Sequence, residues 1–311
     1  MATDFSHRTE IIIATLAEVS RGAQLIRAIE SVLIQRAGVI VVINGARYDS
    51  SLRSRLEEMP GIRLIYIEQS GFPNAVYVGR CAVKSEYFGF LDDDDYLLPG
   101  SIATREAYLD ASPQTDVVVT NGFREEWKDD QRLFKSKNDL QLISSDPMAA
   151  LLQANWMTPC GPLYRQESIP LDLFLDLTKY AEWTDVGFRL IGNYRVGFMF
   201  DATFVQTDTP GSLSKQRGQA HFIIGLHLKI AGKVCTVEQR RLWNLRICNL
   251  HHQLAEEELK MNNWRKAMKH HLNSLLHAPK IGFTRYFLYT TRILSWPVCS
   301  FFARLVPKSI N

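Results

Sequence analysis

The sequence predicts an α/β fold in which a mostly parallel sheet is flanked by helices, followed by a helical C-terminal region. In the first half of the 311-residue chain, short strand-like runs alternate with segments of helical periodicity. This alternation is typical of parallel strands joined by right-handed crossovers. Beyond Lys215 the periodicity is helical, as in HFIIGLHLKIAGKV and QRRLWNLRICNLHHQLAEEELK. We therefore expect an α/β domain over residues 1–215 and a helical region over residues 216–311.

Four segments of the first half are predicted as strands because they are rich in β-branched or aromatic residues. They are Glu10–Thr15, Val39–Ile43, Ile62–Ile67 and Tyr87–Leu91. Apolar residues at helical spacing separate the first two strands, and Ser20 is the predicted N-cap of that helix. In parallel sheets of this kind, ligands bind at the carboxyl ends of the strands. The loops after Thr15, Ile43 and Leu91 are therefore expected to form the functional site.

Composition limits the class of protein. The hydrophobic fraction of 46% and the charged fraction of 22% are those of a globular chain, and the net charge of +3 is too small to argue for a nucleic-acid partner. The cysteines are scattered without a CxxC pair, which suits a reducing compartment; they are Cys81, Cys160, Cys235, Cys248 and Cys299. The apolar run Ile11–Ile13 is too short for a signal peptide, and no stretch of 18 uncharged apolar residues follows. A cytoplasmic enzyme is expected.

The most informative segment is a run of four aspartates, Asp92 to Asp95, which directly follows an apolar strand and precedes a Pro-Gly turn. In extended backbone, side chains two residues apart point the same way, so Asp92 and Asp94 are expected to converge. Neighbouring anions repel one another unless a cation neutralises them. Oxygen ligands of this kind select Mg²⁺ or Mn²⁺. A solvated acidic turn is the other interpretation, and the position at a strand end favours the metal site.

The surrounding run, GFPNAVYVGRCAVKSEYFGFLDDDDYLLPGSI, resembles the central segment of family 2 glycosyltransferases. The residues in step with that pattern are Gly71, Ala75, Gly79, Glu86, Tyr87, Phe90, Leu91, Asp92, Asp94, Asp95 and Pro99. The resemblance covers roughly residues 10–214 and implies the GT-A fold, a nucleotide-sugar donor and a divalent metal. By the resemblance, Asp94 is the principal metal ligand, Asp92 contacts metal or ribose, and Asp93 lines the donor site.

A second acidic motif, KYAEWTDVGFRLIG, is predicted to be helical near Glu182–Ile191 and resembles a later Glu-Asp helix of the family. Trp183 stands where the family has the aspartate that takes the proton of the acceptor hydroxyl. Asp185, on the same helical face as Glu182, is the expected replacement, with Glu182 as the second candidate. Further on, residues 211–215 resemble a closing motif whose hydroxyls and Lys215 contact phosphates. A helix N-terminus with favourable acidic residues is the other interpretation of the Glu182 segment.

The donor pocket departs from the family pattern in several places. The second strand ends in Asn44, where the family commonly has a carboxylate that reads uracil, and Asn44 offers both a donor and an acceptor group. Val76 replaces a cation near the diphosphate. Leu16 falls where the family often has an aromatic residue, and Thr15 and Leu16 are expected to line the base pocket. The predicted donor-binding residues are Thr15, Leu16, Asn44, Gly71, Asp92 and Asp93.

The C-terminal tail is basic and apolar. Residues 264–311 contain eight Lys and Arg and no Asp or Glu, interleaved with aromatic and aliphatic residues. Such a composition suits contact with an anionic membrane surface. A helix whose cations coat a solvated face is an equally good interpretation. A nucleic-acid partner is disfavoured because no recognised binding module accompanies the charge.

Together these features predict an inverting glycosyltransferase that uses a nucleotide-sugar donor, most simply a UDP-sugar, and a glycan or lipid-linked acceptor. The expected setting is cell-surface polysaccharide synthesis at the inner face of the plasma membrane. The alternative hypothesis is a non-catalytic nucleotide-sugar-binding or scaffold protein of the same fold, which the altered residues Trp183, Val76 and Ile43 motivate. A nicotinamide dehydrogenase is disfavoured because no GxGxxG motif follows a predicted strand.

Overall fold

The computed structural model describes residues 7–46, 48–126, 130–133, 135–208, 218–277 and 288–295. The chain divides into two compact units, Met1–Ser212 and Leu213–Asn311. The first unit combines a mixed sheet with flanking helices, and the second is helical where it is described. This arrangement confirms the predicted α/β fold with a helical C-terminal region.

The elements of the first unit alternate along the chain. They are β1 (Thr9–Thr15), α1 (Gly22–Leu33), β2 (Gly38–Asn44), α2 (Ser50–Glu58), β3 (Ile62–Ile67), α3 (Phe72–Cys81), β4 (Tyr87–Phe90), β5 (Tyr96–Leu97), α4 (Ser101–Ala111), β6 (Val117–Glu126), β7 (Asp130–Leu133), α5 (Lys137–Ser145), α6 (Pro147–Gln153), β8 (Pro162–Arg165), α7 (Glu182–Leu190) and β9 (Val196–Thr207). The four strands predicted in the first half correspond to β1 to β4, and the helix predicted near Glu182–Ile191 corresponds to α7.

In the described residues, the strands form one sheet in the order β3-β2-β1-β4-β8-β6-β9-β5, with β7 beside β6. Strands β3, β2, β1 and β4 are parallel to one another, as the crossover pattern predicts. Strand β8 is antiparallel to both β4 and β6, so β6 again runs in the direction of β4. Strand β9 runs parallel to β6 and antiparallel to β5, which brings the end of β9 beside the segment that follows the four aspartates.

The core of the first unit lies against the central strands. Ile11, Ile12 and Ile13 of β1 are all buried, because helices cover both faces of the parallel part of the sheet. Helix α1 contributes a buried stripe at helical spacing, which includes Leu25 and Ile29. The central strands are thus held by apolar packing on both faces.

The predicted N-cap Ser20 is wrong. Ser20 lies inside a short 3-10 turn, Val19–Arg21, and the residue that precedes α1 is Arg21, which makes no capping hydrogen bond with its side chain. The physical reason is that the 3-10 turn continues directly into the helix, so Ser20 is never at the boundary. The side chain of Arg21 is instead directed to the acidic turn.

The second unit contains the helices α8 (Gln219–Lys229), α9 (Val237–Lys260) and α10 (Trp264–Leu276), and residues 288–295 are helical as well. Helix α9 begins with a capping box, in which Thr236 Oγ1 accepts from the backbone N–H of Gln239 at 3.1 Å and the Gln239 side chain accepts from the Thr236 N–H at 3.2 Å. Ala255, Leu259 and Ala267 are buried where α9 packs on α10. Among the described residues, no helix has both the length and the apolar character needed to cross a membrane.

Candidate active site

The site lies at the carboxyl edge of the parallel strands. In the register of the sheet, Thr15 of β1 pairs with Ile43 of β2, and Ile12 of β1 pairs with Phe90 of β4. The strand-like bonding continues one residue further, because the Leu91 N–H donates to the Ile12 carbonyl at 3.0 Å. The loops after β1, β2 and β4 therefore emerge at one edge of the sheet, as expected for a ligand site in such a fold.

The four aspartates form a turn, so the extended backbone predicted for them is wrong. The Asp95 N–H donates to the Asp92 carbonyl at 3.2 Å, which closes the turn. The chain reverses here because β5 must return beside β9. The turn nevertheless gathers the carboxylates, since one oxygen from each of Asp92, Asp94 and Asp95 lies within 4.8 Å of the others.

Two side chains from the loop after β1 hold the acidic turn. Thr15 Oγ1 donates to Asp93 Oδ2 at 2.6 Å, and the Arg21 guanidinium lies 2.7 Å from Asp93 Oδ1 and 2.6 Å from Asp94 Oδ2. Asp93 and Asp94 are both buried. Arg21 therefore neutralises part of the negative charge that four neighbouring carboxyl groups concentrate in one turn.

Asp95 joins the acidic turn to two distant parts of the first unit. The thiol of Cys160 donates to Asp95 Oδ2 at 3.0 Å, and the backbone N–H of Thr207, the last residue of β9, donates to Asp95 Oδ1 at 2.9 Å. Asp95 is 1% exposed. Both carboxylate oxygens of Asp95 thus accept hydrogen bonds inside the protein, and this side chain stabilises the position of the turn.

The acidic turn shifts the pKa values of its own members. Burial, followed by repulsion from Asp95 and Asp94, raises the pKa of Asp92 well above its usual value. Burial and the neighbouring charge of Asp94 raise the pKa of Asp95 to about 7. Burial also raises the pKa of Asp93, although the ion pair with Arg21 and the Thr15 hydroxyl act in the opposite direction. Burial and mutual repulsion therefore both favour the protonated forms of these carboxyl groups.

The residues present fit a hard divalent cation. Carboxylate oxygens are the ligands that Mg²⁺ and Mn²⁺ prefer, and the closeness of three such oxygens is an arrangement that a cation would stabilise. Asp95 is engaged with Cys160 and Thr207, which leaves Asp92 and Asp94 as the residues that would hold an ion. Asp94 shares its carboxylate with Arg21, so an ion and the guanidinium would be alternative partners for the same group.

The side chain of Asn44 links the end of β1 to the start of α3 through hydrogen bonds. It is 4% exposed; its Nδ2 donates to the Thr15 carbonyl at 3.2 Å, and its Oδ1 accepts from the Gly71 N–H at 3.1 Å. Gly71 is the residue that precedes α3. Of the predicted donor-binding residues in these loops, Leu16 is 39% exposed whereas Thr15 is buried. The direct part of Asn44 in donor recognition stays a prediction.

Glu182 begins α7 close to the strand that carries the aspartates. The ring of Trp183, the next residue, lies 5.0 Å from the ring of Phe90 in β4 and 6.5 Å from the ring of Phe72 in α3. Glu182 is 9% exposed, its Oε1 accepts from the Tyr180 N–H at 3.0 Å, and burial raises its pKa. The aromatic contacts of Trp183 thus set the beginning of α7 against the end of β4.

Asp185 is occupied by local hydrogen bonds. Its Oδ2 accepts from both the N–H and the hydroxyl of Thr178 at 2.8 Å, and its Oδ1 accepts from Arg189 Nε at 2.8 Å. Arg189 in turn donates to the carbonyls of Leu173 and Leu175. Asp185 is therefore the centre of a network that fastens α7 to the preceding segment. Whether Glu182 or Asp185 takes a proton stays a prediction.

Sequence reasoning missed three residues of this site, Arg21, Cys160 and Thr207. The loop after Thr15 was expected at the site, but nothing in the sequence distinguishes Arg21 from other surface cations. The pairing of Asp95 with Cys160 depends on long-range packing that has no local signal. Residues 211–215, the predicted closing motif, lie outside the described residues.

Comparison with known proteins agrees with this geometry. Residues 10–166 match the family model of Glycosyl transferase family 2. An uncharacterized glycosyltransferase of Rickettsia typhi is 29% identical over 192 residues, which are 58% of this chain and 58% of that protein. The chain thus spans less than two thirds of the length of this curated relative.

Solved structures share the fold. Staphylococcus aureus TarS 1-349 in complex with UDP-GlcNAc superposes with a TM-score of 0.55 at 13% identity, covering 85% of this chain and 89% of that chain. The mannosyltransferase PcManGT from Pyrobaculum calidifontis, in complex with GDP-Man and Mn²⁺, gives 0.53 at 14% identity and covers 94% of this chain and 81% of that chain. At these identities the similarity is one of fold, and it confirms the predicted GT-A fold.

Proposed function

The chain belongs to glycosyl transferase family 2, and from this premise we propose that it moves a sugar from a nucleoside-diphosphate donor to a hydroxyl group of a glycan or lipid-linked acceptor, with inversion at the anomeric carbon. The observation that carries the proposal is the position of Asp92 and Asp94 after the carboxyl end of β4. One carboxylate oxygen of Asp92 lies within 4.8 Å of a carboxylate oxygen of Asp94. This edge of the sheet is where the fold binds ligands.

The donor lies in the loops after β1, β2 and β4. Thr15 and Leu16 border the base, and Asp92 and Asp93 face the ribose and diphosphate. Because the Asn44 amide is used to hold Thr15 and Gly71, its contribution is to fix the pocket walls. A UDP-sugar is the first donor to test, since the TarS structure of the same fold contains UDP-GlcNAc. The PcManGT structure, which contains GDP-Man, makes a GDP-sugar the second.

Asp92 and Asp94 hold a divalent ion, Mg²⁺ or Mn²⁺, in the working enzyme. When bound, such an ion supplies positive charge that stabilises the leaving diphosphate. Thr15 keeps Asp93 in place through the 2.6 Å hydrogen bond, and Asp95 ties the turn to Cys160 and Thr207. These contacts hold the carboxylates in position before the donor arrives, which is the preorganisation that transferases of charged substrates require.

Glu182 is the base that takes the proton from the acceptor hydroxyl. The predicted order placed Asp185 first, but Asp185 accepts four hydrogen bonds from Thr178 and Arg189. A base needs an oxygen that can approach the attacking hydroxyl, and a raised pKa favours proton transfer near neutral pH. Glu182 has the raised pKa, because it is largely buried, and its Oε1 accepts a hydrogen bond from the Tyr180 N–H.

The acceptor is a surface polysaccharide or a lipid-linked glycan, and the enzyme works at the inner, cytoplasmic face of the plasma membrane. In the described part of the tail, Arg265, Lys266 and Lys269 of α10 are exposed, and so are Leu272 and Leu276. Exposed cations with exposed leucines suit peripheral contact with anionic lipid. Co-sedimentation with vesicles of anionic and of neutral lipid tests the contact; equal binding to both would contradict it.

Replacement of Asp94 tests the proposed activity. The Asp94→Ala protein is assayed with a panel of UDP-, GDP-, CMP- and dTDP-sugars, with and without Mn²⁺, for donor hydrolysis and transfer. We expect turnover by the unaltered protein to need the ion and turnover by Asp94→Ala to fall by at least about a hundredfold, the size of effect that a lost electrostatic contact to the transition state has. Unchanged turnover in Asp94→Ala would remove the metal role.

A non-catalytic nucleotide-sugar-binding protein is the second candidate. The observation that favours it is the pairing of Arg21 with Asp93 and Asp94, which supplies a cation from the chain itself. In that case Mn²⁺ would not change the thermal unfolding of the protein, whereas one nucleotide sugar would raise its Tm without transfer or hydrolysis. If the unaltered protein turns over a donor and Asp94→Ala does not, this candidate is excluded.

A further inference from the structure

Seven of the eight histidines lie in the second unit. Four of their rings form a continuous row across the described helices: His221 on α8, His270 on α10, His251 on α9 and His277 directly after α10. The ring centroids are 5.3 Å apart between His221 and His270, 5.6 Å between His270 and His251, and 6.5 Å between His251 and His277. None of the contacts described for the candidate active site involves this row.

At the centre of the row, two ring nitrogens lie about as close together as two ligands of one metal ion. Nδ1 of His251 lies 3.3 Å from Nδ1 of His270. This separation is at the long end of hydrogen bonds from N–H donors, most of which are roughly 2.7–3.2 Å. Two nitrogens that bind one tetrahedral Zn²⁺, with bonds of about 2.0–2.1 Å, lie roughly 3.3–3.4 Å apart. The two imidazoles are therefore spaced as two ligands of one ion.

We propose that His251 and His270, completed by His221, bind one divalent transition-metal ion of the class that prefers imidazole, with Zn²⁺ as its representative. Imidazole nitrogens select zinc, nickel and copper ions, whereas the oxygen set of the acidic turn selects Mg²⁺ or Mn²⁺. The inference is independent of the proposed function, because it concerns other residues and another class of ion.

The three rings are able to act as ligands. The imidazoles of His251 and His270 meet through their Nδ1 atoms, and an imidazole with the usual pKa of about 6.5 is mostly neutral at physiological pH. A neutral imidazole keeps the lone pair that a metal bond needs. His221 is exposed, in the first turn of α8, and its ring adjoins His270. Its ring is the third one beside the pair, with its centroid 5.3 Å from that of His270.

A neighbouring histidine pair provides an internal comparison. His252 and His271 also face each other from α9 and α10, with ring centroids 5.5 Å apart. Their nitrogens meet hydroxyl groups: His252 Nε2 lies 3.2 Å from Ser274 Oγ, and His271 Nε2 lies 2.8 Å from Thr290 Oγ1. This pair is satisfied by protein partners, and His252 is therefore the matched control for His251.

The test measures zinc affinity in the full chain without a purification tag. The background carries Asp94→Ala, so that the acidic turn does not contribute, and Zn²⁺ is titrated in competition with a chromogenic chelator. We expect one equivalent of Zn²⁺ to bind, and His251→Gln or His270→Gln to weaken it at least about tenfold, since even the loss of an outer-shell partner costs 10- to 100-fold. His252→Gln is expected to bind as the background does. Co²⁺, added in place of Zn²⁺, is expected to give the visible absorption of a nitrogen-ligated ion.

His221→Gln keeps the test decisive if either inner variant unfolds, because an exposed position tolerates the change. Thermal unfolding without metal first establishes that each variant is folded. Weaker zinc binding in His221→Gln with unchanged binding in His252→Gln supports the site. Equal zinc affinity in the background and in His221→Gln, or an equal loss in His252→Gln, overturns it.

Discussion

The guanidinium of Arg21 lies 2.6 Å from Oδ2 of Asp94, the carboxylate proposed as principal ligand of the catalytic ion. The same group lies 2.7 Å from Asp93. A single cation of the chain thus occupies the place where the positive charge of an ion is needed. Arg21 and the ion are alternative ways to neutralise the turn, and this relationship predicts how the protein responds to divalent metal.

Replacement of Arg21 is expected to make the fold dependent on metal. In Arg21→Ala without divalent ions, Asp93 and Asp94 lose their ion pairs with Arg21, and the free energy of unfolding falls by about 1–2 kcal/mol, discounted for the partial exposure of Arg21. Such a loss lowers Tm by roughly 2–8 °C. Mn²⁺ should then raise the Tm of Arg21→Ala by more than it raises that of the unaltered protein, as differential scanning fluorimetry can measure. Arg53→Ala, which breaks an exposed pair with Glu57, is the control. Equal Mn²⁺ shifts in all three proteins would show that Arg21 does not compete with the ion.

Substitution of aspartate by asparagine is expected to affect mainly stability at Asp95 and mainly metal binding at Asp94. In Asp95→Asn, one of the donors, Cys160 or Thr207, meets an amide NH₂ in place of an oxygen, which costs about 1–3 kcal/mol of stability. Asp94→Asn loses part of the Arg21 pair but also relieves repulsion, so its loss of stability is smaller. Chemical denaturation in EDTA compares the two, and metal titration should show the reverse order, with Asp94→Asn the weaker binder. A larger stability loss in Asp94→Asn would contradict the division of tasks.

The sequence predicts the central part of this fold well because its signals are local. Strands β1 and β2 contain the unbroken apolar runs Ile11–Ala14 and Gly38–Ile43, as expected for strands covered on both faces, and their positions follow from that pattern. Strand β5 has two residues, and β9 is partly exposed over most of its length, so neither has a pattern to read. The position of the acidic residues followed from the strand before them. Their partners Arg21, Cys160 and Thr207 are separated from them by long stretches of sequence, and only the folded sheet brings them together.

Gly79 is expected to be required for the packing of α3 on the sheet. A Cβ atom at this position would lie 2.4 Å from Cγ2 of Ile12 and 3.2 Å from Cγ2 of Val42. Both neighbours belong to buried strands and cannot move without disturbing the core, so Gly79→Ala should destabilise the first unit by about 1–3 kcal/mol. Gly225→Ala, in α8, is the control, because nothing lies within 4 Å of the added atom and the helix gains up to about 1 kcal/mol. Urea unfolding of both proteins checks the contrast; equal stability of the two would refute it.

Stability of the second unit is expected to fall below neutral pH through His227. Burial lowers its pKa from 6.5 to about 4, so the unfolded chain binds a proton in this interval that the folded chain does not. Stability is therefore complete above pH 6.5 and is lost as the pH falls toward 4, by about 2 kcal/mol at pH 5. Urea unfolding followed by fluorescence of Trp243, whose indole N–H donates to the His227 carbonyl at 2.9 Å, reports on this region. Between pH 7.5 and pH 5, the free energy of unfolding of His227→Asn should therefore fall by about 2 kcal/mol less than that of the unaltered protein. If the free energies of unfolding of the two proteins differ by the same amount at both pH values, His227 does not titrate in this interval.

Glu182 and Asp185 are separated by comparing catalysis with stability. Glu182→Gln keeps the size and the hydrogen bond from the Tyr180 N–H but cannot accept a proton, so kcat should fall by about 10² to 10⁴ with little change in KM or Tm. Asp185→Asn meets two donors of Thr178 and the guanidinium of Arg189 with a neutral amide, so it should lose stability, while the folded fraction keeps its turnover. Steady-state kinetics with the identified donor, at a temperature where both variants are folded, make the comparison. If Asp185→Asn abolishes turnover with its fold intact while Glu182→Gln remains active, Asp185 is the base. The hydrogen-bond network around Asp185 would then have to open when the acceptor binds.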